Sequence, residues 1–243
     1  MSGHSKWKNI LHKKGATDAK RAKIFTKIGR EIAIAIREGG ADPASNSKLR
    51  DIVAKAKINN VPNDNINRMI EKYSNAGDSA AFETMIYEGY GPAGVAIIVE
   101  TLTDNKNRTA GDIRHYFDKY GGNLGAANCV SWQFETKGKI IIDELSVNMS
   151  EDNFLMLCIE LGADDIIKDG EYEITTSPEN FSIVRKELED KGFEFIYADI
   201  SKIPNNYVKI TNEDDIKNME KLLDILEDND DVQNVCHNLE DAE

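Results

Sequence analysis

The 243-residue chain has no apolar run approaching the roughly 18 residues of a membrane-spanning helix. Its N-terminus, MSGHSKWKNILHKKG, has no hydrophobic stretch of signal-peptide length. Secretion is therefore not expected, and a cytoplasmic location is. Cysteine is scarce. Cys129, Cys158 and Cys236 are odd in number and far apart, which suits a reducing compartment rather than a disulfide scaffold. With the four histidines (His4, His12, His115, His237) they form no CxxC, HxxxH or HExxH spacing, so no metal centre is expected. Nothing local pairs Cys129 with His115 as nucleophile and base, and no carboxylate pair is marked out for acid–base work. The expectation is no enzyme, no cofactor and no small-molecule substrate. Net positive charge is missing too: 30 Lys+Arg stand against 43 Asp+Glu, a balance of −13. Spread evenly, that balance would argue against a nucleic-acid partner.

What is present changes the picture. Apolar residues make up 40% of the chain, enough for packed cores and too much for a wholly disordered protein. The charge is also split. Residues 1–72 carry 16 Lys+Arg and 7 Asp+Glu, a net of +9, and residues 73–243 carry 14 and 36, a net of −22. A break this sharp suggests two parts with separate tasks. A basic segment can be a solubilising tail or a polyanion-binding arm, and helix geometry favours the arm. From Asp18 to about Glu38 the chain reads as one helix stopped by Gly39-Gly40. Phe25, Ile28, Ile32 and Ala35 form an apolar stripe at spacings of 4, 4 and 3. Lys20, Lys23, Lys27 and Arg30 form a basic row on nearly the opposite face. Upstream, Lys6, Lys8, Lys13 and Lys14 surround Trp7 and His12. This mixture suits phosphate contact with base stacking, although Trp7 fits a core plug as well. Two shorter helices follow, one with the stripe Leu49, Ile52, Val53, Ala56 and one with Ile66, Met69, Ile70, Tyr73. Pro62 fits the start of the second.

Beyond a linker the periodicity becomes mixed. Strands are expected at Phe82–Tyr90, Val95–Leu102 and Val130–Glu135, with a helix at Thr109–Tyr120 that Thr109 and Asp112 would cap. Strand Lys139–Asp143, helix Ser150–Leu161, strands Asp164–Lys168 and Glu171–Thr176, helix Pro178–Lys191 and strand Phe193–Ser201 make a βαββαβ series, the ferredoxin-like arrangement. Strand Asn206–Thr211, helix Glu213–Glu227 and strand Val232–Leu239 would complete the earlier ββαβ. The expected class is α+β multidomain: a three-helix N-terminal domain, then two α/β (ferredoxin-like) domains, one inserted in the other. In numbers, this is a flexible basic leader (1–17), a helical domain (18–78), an α/β domain (79–135 plus 205–243) and an inserted α/β domain (136–204).

Two loops invite a chemical reading. Gly89–Gly94 matches GxGxxG, but a dinucleotide site needs a helix after the glycines, and here a strand follows. The loop Thr103–Thr109 joins a central strand to a helix N-terminus. Asn105, Lys106, Asn107 and Arg108, with Arg114 on the helix, could form a secondary anion site. Turn formation and capping explain the same residues equally well.

The strings GHSKW, HKKGATDAKRAKIFTKIGREI, NVPNDNI, YEGYGPAGVAIIVETLTDNKNRTAGDIRH, KYGGNLG and VSWQF resemble the YebC/PmpR family. That family includes the mitochondrial translational activator of cytochrome c oxidase subunit one. The resemblance spans about Gly3 to Thr211. Asn128-Cys129 departs from the small residues usual before the Val. The resemblance implies three domains and no known enzymatic activity. It also implies a DNA-binding transcriptional regulator or, alternatively, a ribosome-associated factor that relieves stalling on proline-rich stretches. Carried over by position, the contact surface comprises His4, Ser5, Lys6, Trp7, Lys13, Lys14, Lys20, Arg21, Lys23, Lys27 and Arg30. The expected partner is DNA or ribosomal RNA. The acidic body repels a long duplex lying against it, which tilts the physics towards RNA.

Overall fold

The computed structural model describes residues 18–75 and 82–240, with side chains from Arg21 onward. The expected leader, 1–17, lies outside the described residues. Three helices come first: α1 (Asp18–Gly39), α2 (Ser47–Ile58) and α3 (Asn63–Asn75). The apolar stripes predicted from spacing meet in one core, where Ile28, Ile32, Ala35, Leu49, Ile52, Ala56 and Ile66 are buried. Gly40 ends α1 with a left-handed φ of 83°. Buried Asn46 then ties two helices together. Its Oδ1 accepts from the Leu49 N–H (3.0 Å) as the cap of α2, while its Nδ2 donates to the Ala35 and Gly40 carbonyls (both 2.7 Å).

The first sheet contains β1 (Glu83–Tyr90), β2 (Ala96–Thr103), β3 (Asn123–Leu124) and, from the far end of the chain, β8 (Val232–His237), in the antiparallel order β3-β1-β2-β8. Helices α4 (Lys106–Lys119) and α7 (Glu213–Asp228) cover one face. Ile97, Val99, Ile113, Phe117, Met219, Leu222, Leu226, Val232 and Val235 pack between them. β2 is buried on both faces, as its β-branched run predicts. The second sheet is built between β3 and β8 in sequence. It comprises β4 (Phe134–Asp143), β5 (Asp165–Lys168), β6 (Glu171–Thr176) and β7 (Tyr197–Pro204), ordered β5-β6-β4-β7, with α5 (Glu151–Leu161) and α6 (Pro178–Asp190) over its core. Its βαββαβ order is the one the pattern predicts. The whole is an α+β multidomain chain.

Several element boundaries differ from expectation. Val130–Glu135 is not a separate strand. Glu88 accepts from the N–H groups of Asn128 (3.0 Å), Val130 (2.9 Å) and Ser131 (2.9 Å). These bonds curl the segment into a turn, and Ser131–Gln133 leads as one 3-10 turn straight into β4. Asn206–Thr211 is not a strand either; only Val208 bridges, to Leu239, before Asn212 caps α7. The last strand of the second sheet starts at Tyr197, because Phe193 and Phe195 turn inward to pack on its core. Helix α4 begins at Lys106 with Asn105 as its cap (Arg108 N to Asn105 Oδ1, 3.1 Å), not at Thr109.

Candidate nucleic-acid interface

Lys23, Lys27 and Arg30 of the basic row lie against the acidic body. The cause is visible in α7. That helix has Glu213, Asp214 and Asp215 in its first turn, which suits the positive end of the dipole, but no basic residue in its last turn. Its terminal carbonyls need donors, and α1 supplies them. Lys27 Nζ donates to the Glu227 carbonyl (2.8 Å). Lys23 Nζ donates to the Asp228 carbonyl (2.9 Å) and pairs with the Asp228 carboxylate. Burial pushes the Lys27 ammonium below its ordinary pKa, opposed by Glu227 and Asp230. One turn on, Arg30 donates to the Leu102 carbonyl (2.8 Å) and to Asp231 (2.6 Å), with its guanidinium over the Phe82 ring.

Asp231 is the centre of this contact. Its side chain is 5% exposed. It also accepts from Arg108 Nη2 (2.8 Å) and from the Thr109 (2.7 Å) and Thr103 (3.3 Å) hydroxyls. Burial alone would raise its pKa. The donors Arg108, Thr109 and Arg30 outweigh that and hold the carboxyl at about 2. Asp231 is not among the residues that the sequence singles out. It sits in the run Glu227–Asp231, which reads as an acidic helix end and linker, and nothing local distinguishes it from its neighbours.

The structure thus joins two of the candidate groups, since Arg30 and Arg108 meet on one carboxylate. Arg21 is exposed near the start of α1. In the Asp104–Arg108 loop, Asn105 is spent as a cap, Lys106 pairs with Glu83 (2.6 Å) and Arg108 pairs with Asp104 (2.9 Å) besides Asp231. Asn107 and Arg114 are exposed. His4, Ser5, Lys6, Trp7, Lys13 and Lys14, and the side chain of Lys20, lie outside the described residues.

The helical unit has a second attachment. Lys55 of α2 reaches Glu31 of α1 (2.9 Å) and Asp199 of β7 (2.7 Å). Burial opposes its charge, yet the two carboxylates raise its pKa. Burial in turn raises that of Glu31, partly offset by Lys55. Nearby, Asp51 accepts from the Ser182 hydroxyl and from Arg185 of α6 (3.0 Å), whose side chain is 1% exposed.

The remaining motifs are structural in geometry. Gly91 packs so closely that a Cβ would stand 2.9 Å from both Ile97 and Met219, and β2, not a helix, follows the Gly89–Gly94 loop. The Cys129 thiol is pushed up by burial and by Glu88, the reverse of what a nucleophile needs. Among the described residues, no group of three or more His, Cys, Asp or Glu could hold a metal ion, and no helix is long and apolar enough to cross a membrane.

Fold and contact surface together define a class of protein: a helical unit with a basic first helix, latched onto a two-sheet acidic body. Two family profiles cover nearly all of it, the TACO1/YebC protein N-terminal domain over residues 5–76 and the TACO1/YebC second and third domain over residues 82–239. The chain belongs to the TACO1/YebC family. It is 54% identical over 239 residues to a probable transcriptional regulatory protein of Acetivibrio thermocellus, covering 98% of each chain. It is 56% identical over 229 residues to one of Ruminiclostridium cellulolyticum, covering 94% of this chain and 92% of the other. A solved structure, a conserved hypothetical protein Aq1575 from Aquifex aeolicus, superposes with a TM-score of 0.83 at 43% identity over 94% of both chains.

Proposed function

We propose that this protein is a non-enzymatic, cytoplasmic regulator of gene expression that binds nucleic acid, DNA in the first instance, through its basic N-terminal arm. The observation that carries the reading is the concentration of ten Lys+Arg against Asp18 and Glu31 in the first 37 residues of an otherwise acidic chain. The names of the relatives, probable transcriptional regulatory proteins, support it. In this reading Lys6, Lys13, Lys14, Lys20 and Arg21, with Trp7 as a stacking side chain, make first contact with phosphates and bases. Lys23, Lys27 and Arg30 meet carbonyl and carboxylate oxygens that occupy the place phosphate oxygens would take. They join only when a polyanion displaces the body. Phosphate contacts of this kind position a protein more than they read sequence.

Removal of residues 1–17 tests the arm while leaving the α1 core intact. Binding of full-length and shortened protein to a duplex DNA and to a ribosomal RNA fragment is measured across a salt series. With about five phosphates neutralised, log K should fall with log salt at a slope of about −4.5 on duplex DNA. The shortened protein should lose most of the affinity and most of the slope. Unchanged binding would overturn the arm. A second reading, ribosomal RNA as target, is favoured by the net −22 of residues 73–243, which opposes a long duplex along the body. Crosslinking in cells followed by sequencing of bound DNA and RNA separates the two, through enrichment at promoters or on ribosomal RNA.

A further inference from the structure

Where the helical unit meets both sheets there is a cavity of about 330 Å³, within the size range of small-molecule sites. Its walls come from α1, α2, β1, β2, α6, β7 and β8. The ionised groups in those walls have protein partners. Lys55 lies between Glu31 and Asp199, and Asp51 holds Arg185. Lys48 pairs with Glu38, and Glu100 accepts from Asn234 Nδ2 (3.1 Å). No such partner serves Gln233: both its Nε2 and its Oε1 are buried without a hydrogen bond from the protein. Such a group is costly to leave unmade, so its position needs a reason.

The backbone supplies an independent pointer. β8 carries a bulge opposite β2: Thr101 pairs with Val232 and Glu100 with Asn234, which leaves Gln233 as the extra residue. Val232 and Val235 both pack into the core beneath the helices, while Gln233 and Asn234 both line the cavity. In a regular strand two consecutive side chains could not share a face. Bulges re-aim side chains in this way and are frequent beside binding sites. Much of the remaining wall is apolar, including Ile34, Ile52, Leu102 and Phe181.

We propose that this cavity binds a small neutral molecule with an apolar or aromatic body and an amide-like edge, a carbonyl oxygen beside an N–H. The Gln233 carboxamide recognises that edge by donating from Nε2 to the carbonyl and accepting at Oε1 from the N–H. Neutrality follows from walls in which each ionised group is already engaged by a protein partner. The donor–acceptor edge follows from the one group whose two bonding functions are both unspent. An aromatic carboxamide and a pyrimidine base share this chemistry.

The test uses the full chain with benzamide and uracil as separate probes, followed by ligand-observed NMR and calorimetry. N,N-dimethylbenzamide, which has the carbonyl without the N–H, serves as the control. Saturable binding of one probe in the millimolar range or tighter is expected. Binding of benzamide alone assigns an aromatic carboxamide, and binding of uracil alone a nucleobase. Gln233→Leu should weaken it by about tenfold or more, since a polar site rejects an unmatched partner more strongly than an apolar one does. Ile86→Trp, at an exposed wall position, should block entry without touching Gln233. It keeps the test decisive if Gln233→Leu folds poorly. No saturable binding of either probe, or binding indifferent to both substitutions, would overturn the proposal. So would equal affinity for N,N-dimethylbenzamide and benzamide.

Discussion

The two attachments of the helical unit are built with opposite polarity. At the first sheet one carboxylate, Asp231, gathers two guanidiniums and two hydroxyls. At the second, one ammonium, Lys55, is divided between two carboxylates. A carboxylate offers several lone-pair directions and can satisfy all those donors without strain. Asp104 takes up the second charge at Arg108, so the first attachment is balanced, and the Asp231 carboxyl stays ionised to low pH. One ammonium shared by two half-buried carboxylates does not fully offset their lost solvation, and Glu31 is raised. The same helix α1 contributes to both, through Arg30 and Glu31 in adjacent positions.

The largest effect expected is at the second attachment. Lys55→Met leaves the half-buried Glu31 and Asp199 beside each other without a counterion, and should cost about 3 kcal/mol in urea unfolding. A loss below about 1 kcal/mol would mean that water reaches and solvates both carboxylates. Next is Asp231→Asn, which strips the charge from a site holding Arg30 and Arg108. We expect a loss of about 2–3 kcal/mol and faster amide exchange in the first turns of α1. If the basic row is a masked polyanion surface, the same variant should bind nucleic acid more tightly at equal salt; weaker or unchanged binding would count against masking.

The third prediction separates the two attachments by pH. Asp231 is held at about 2, against an ordinary 3.8. The stability it contributes is complete above about pH 4 and is lost as pH falls through 2. Glu31 runs the other way. With its folded pKa raised, it favours the fold when protonated, and that contribution disappears as pH rises through its folded value. Urea midpoints between pH 2 and pH 4 should fall less steeply for Asp231→Asn than for the parent chain. Equal slopes would remove Asp231 from the acid response. The smallest effect is at the partly exposed end of the row. Lys27→Ala should cost less than about 1 kcal/mol, the usual size of a cation at a helix C-terminus, read as a shift in the urea midpoint.

Much of the fold was legible because its cores follow spacing. Ile28, Ile32 and Ala35 are inside as their intervals require, and the β-branched run of β2 is the buried centre of its sheet. The βαββαβ series was legible for the same reason. The continuity of β4 was not. The two strands expected at Val130–Glu135 and Lys139–Asp143 are joined through Gly138, where α6 presses so closely that a Cβ would stand 2.7 Å from that of Phe181. The orientation of the basic row was equally hidden. Four cations at helical spacing look the same whether they face phosphate or the carbonyl end of another helix. The partner of Lys23 is 205 residues away. Asp231 becomes conspicuous only after Arg30, Thr103 and Arg108 have been brought to it.

That separation has a consequence in time. α1 is made 205 residues ahead of the helix end that receives its lysines. At about 5–20 residues per second, roughly 10–40 s of synthesis separate Lys23 from Asp228. Over that interval the nascent chain carries an uncompensated cationic helix, and its first sheet still lacks β8. Synthesis of α7 and β8, sixteen helical residues and six strand residues, covers the lysines and closes the sheet. A chain terminated early would keep its N-terminal charge open.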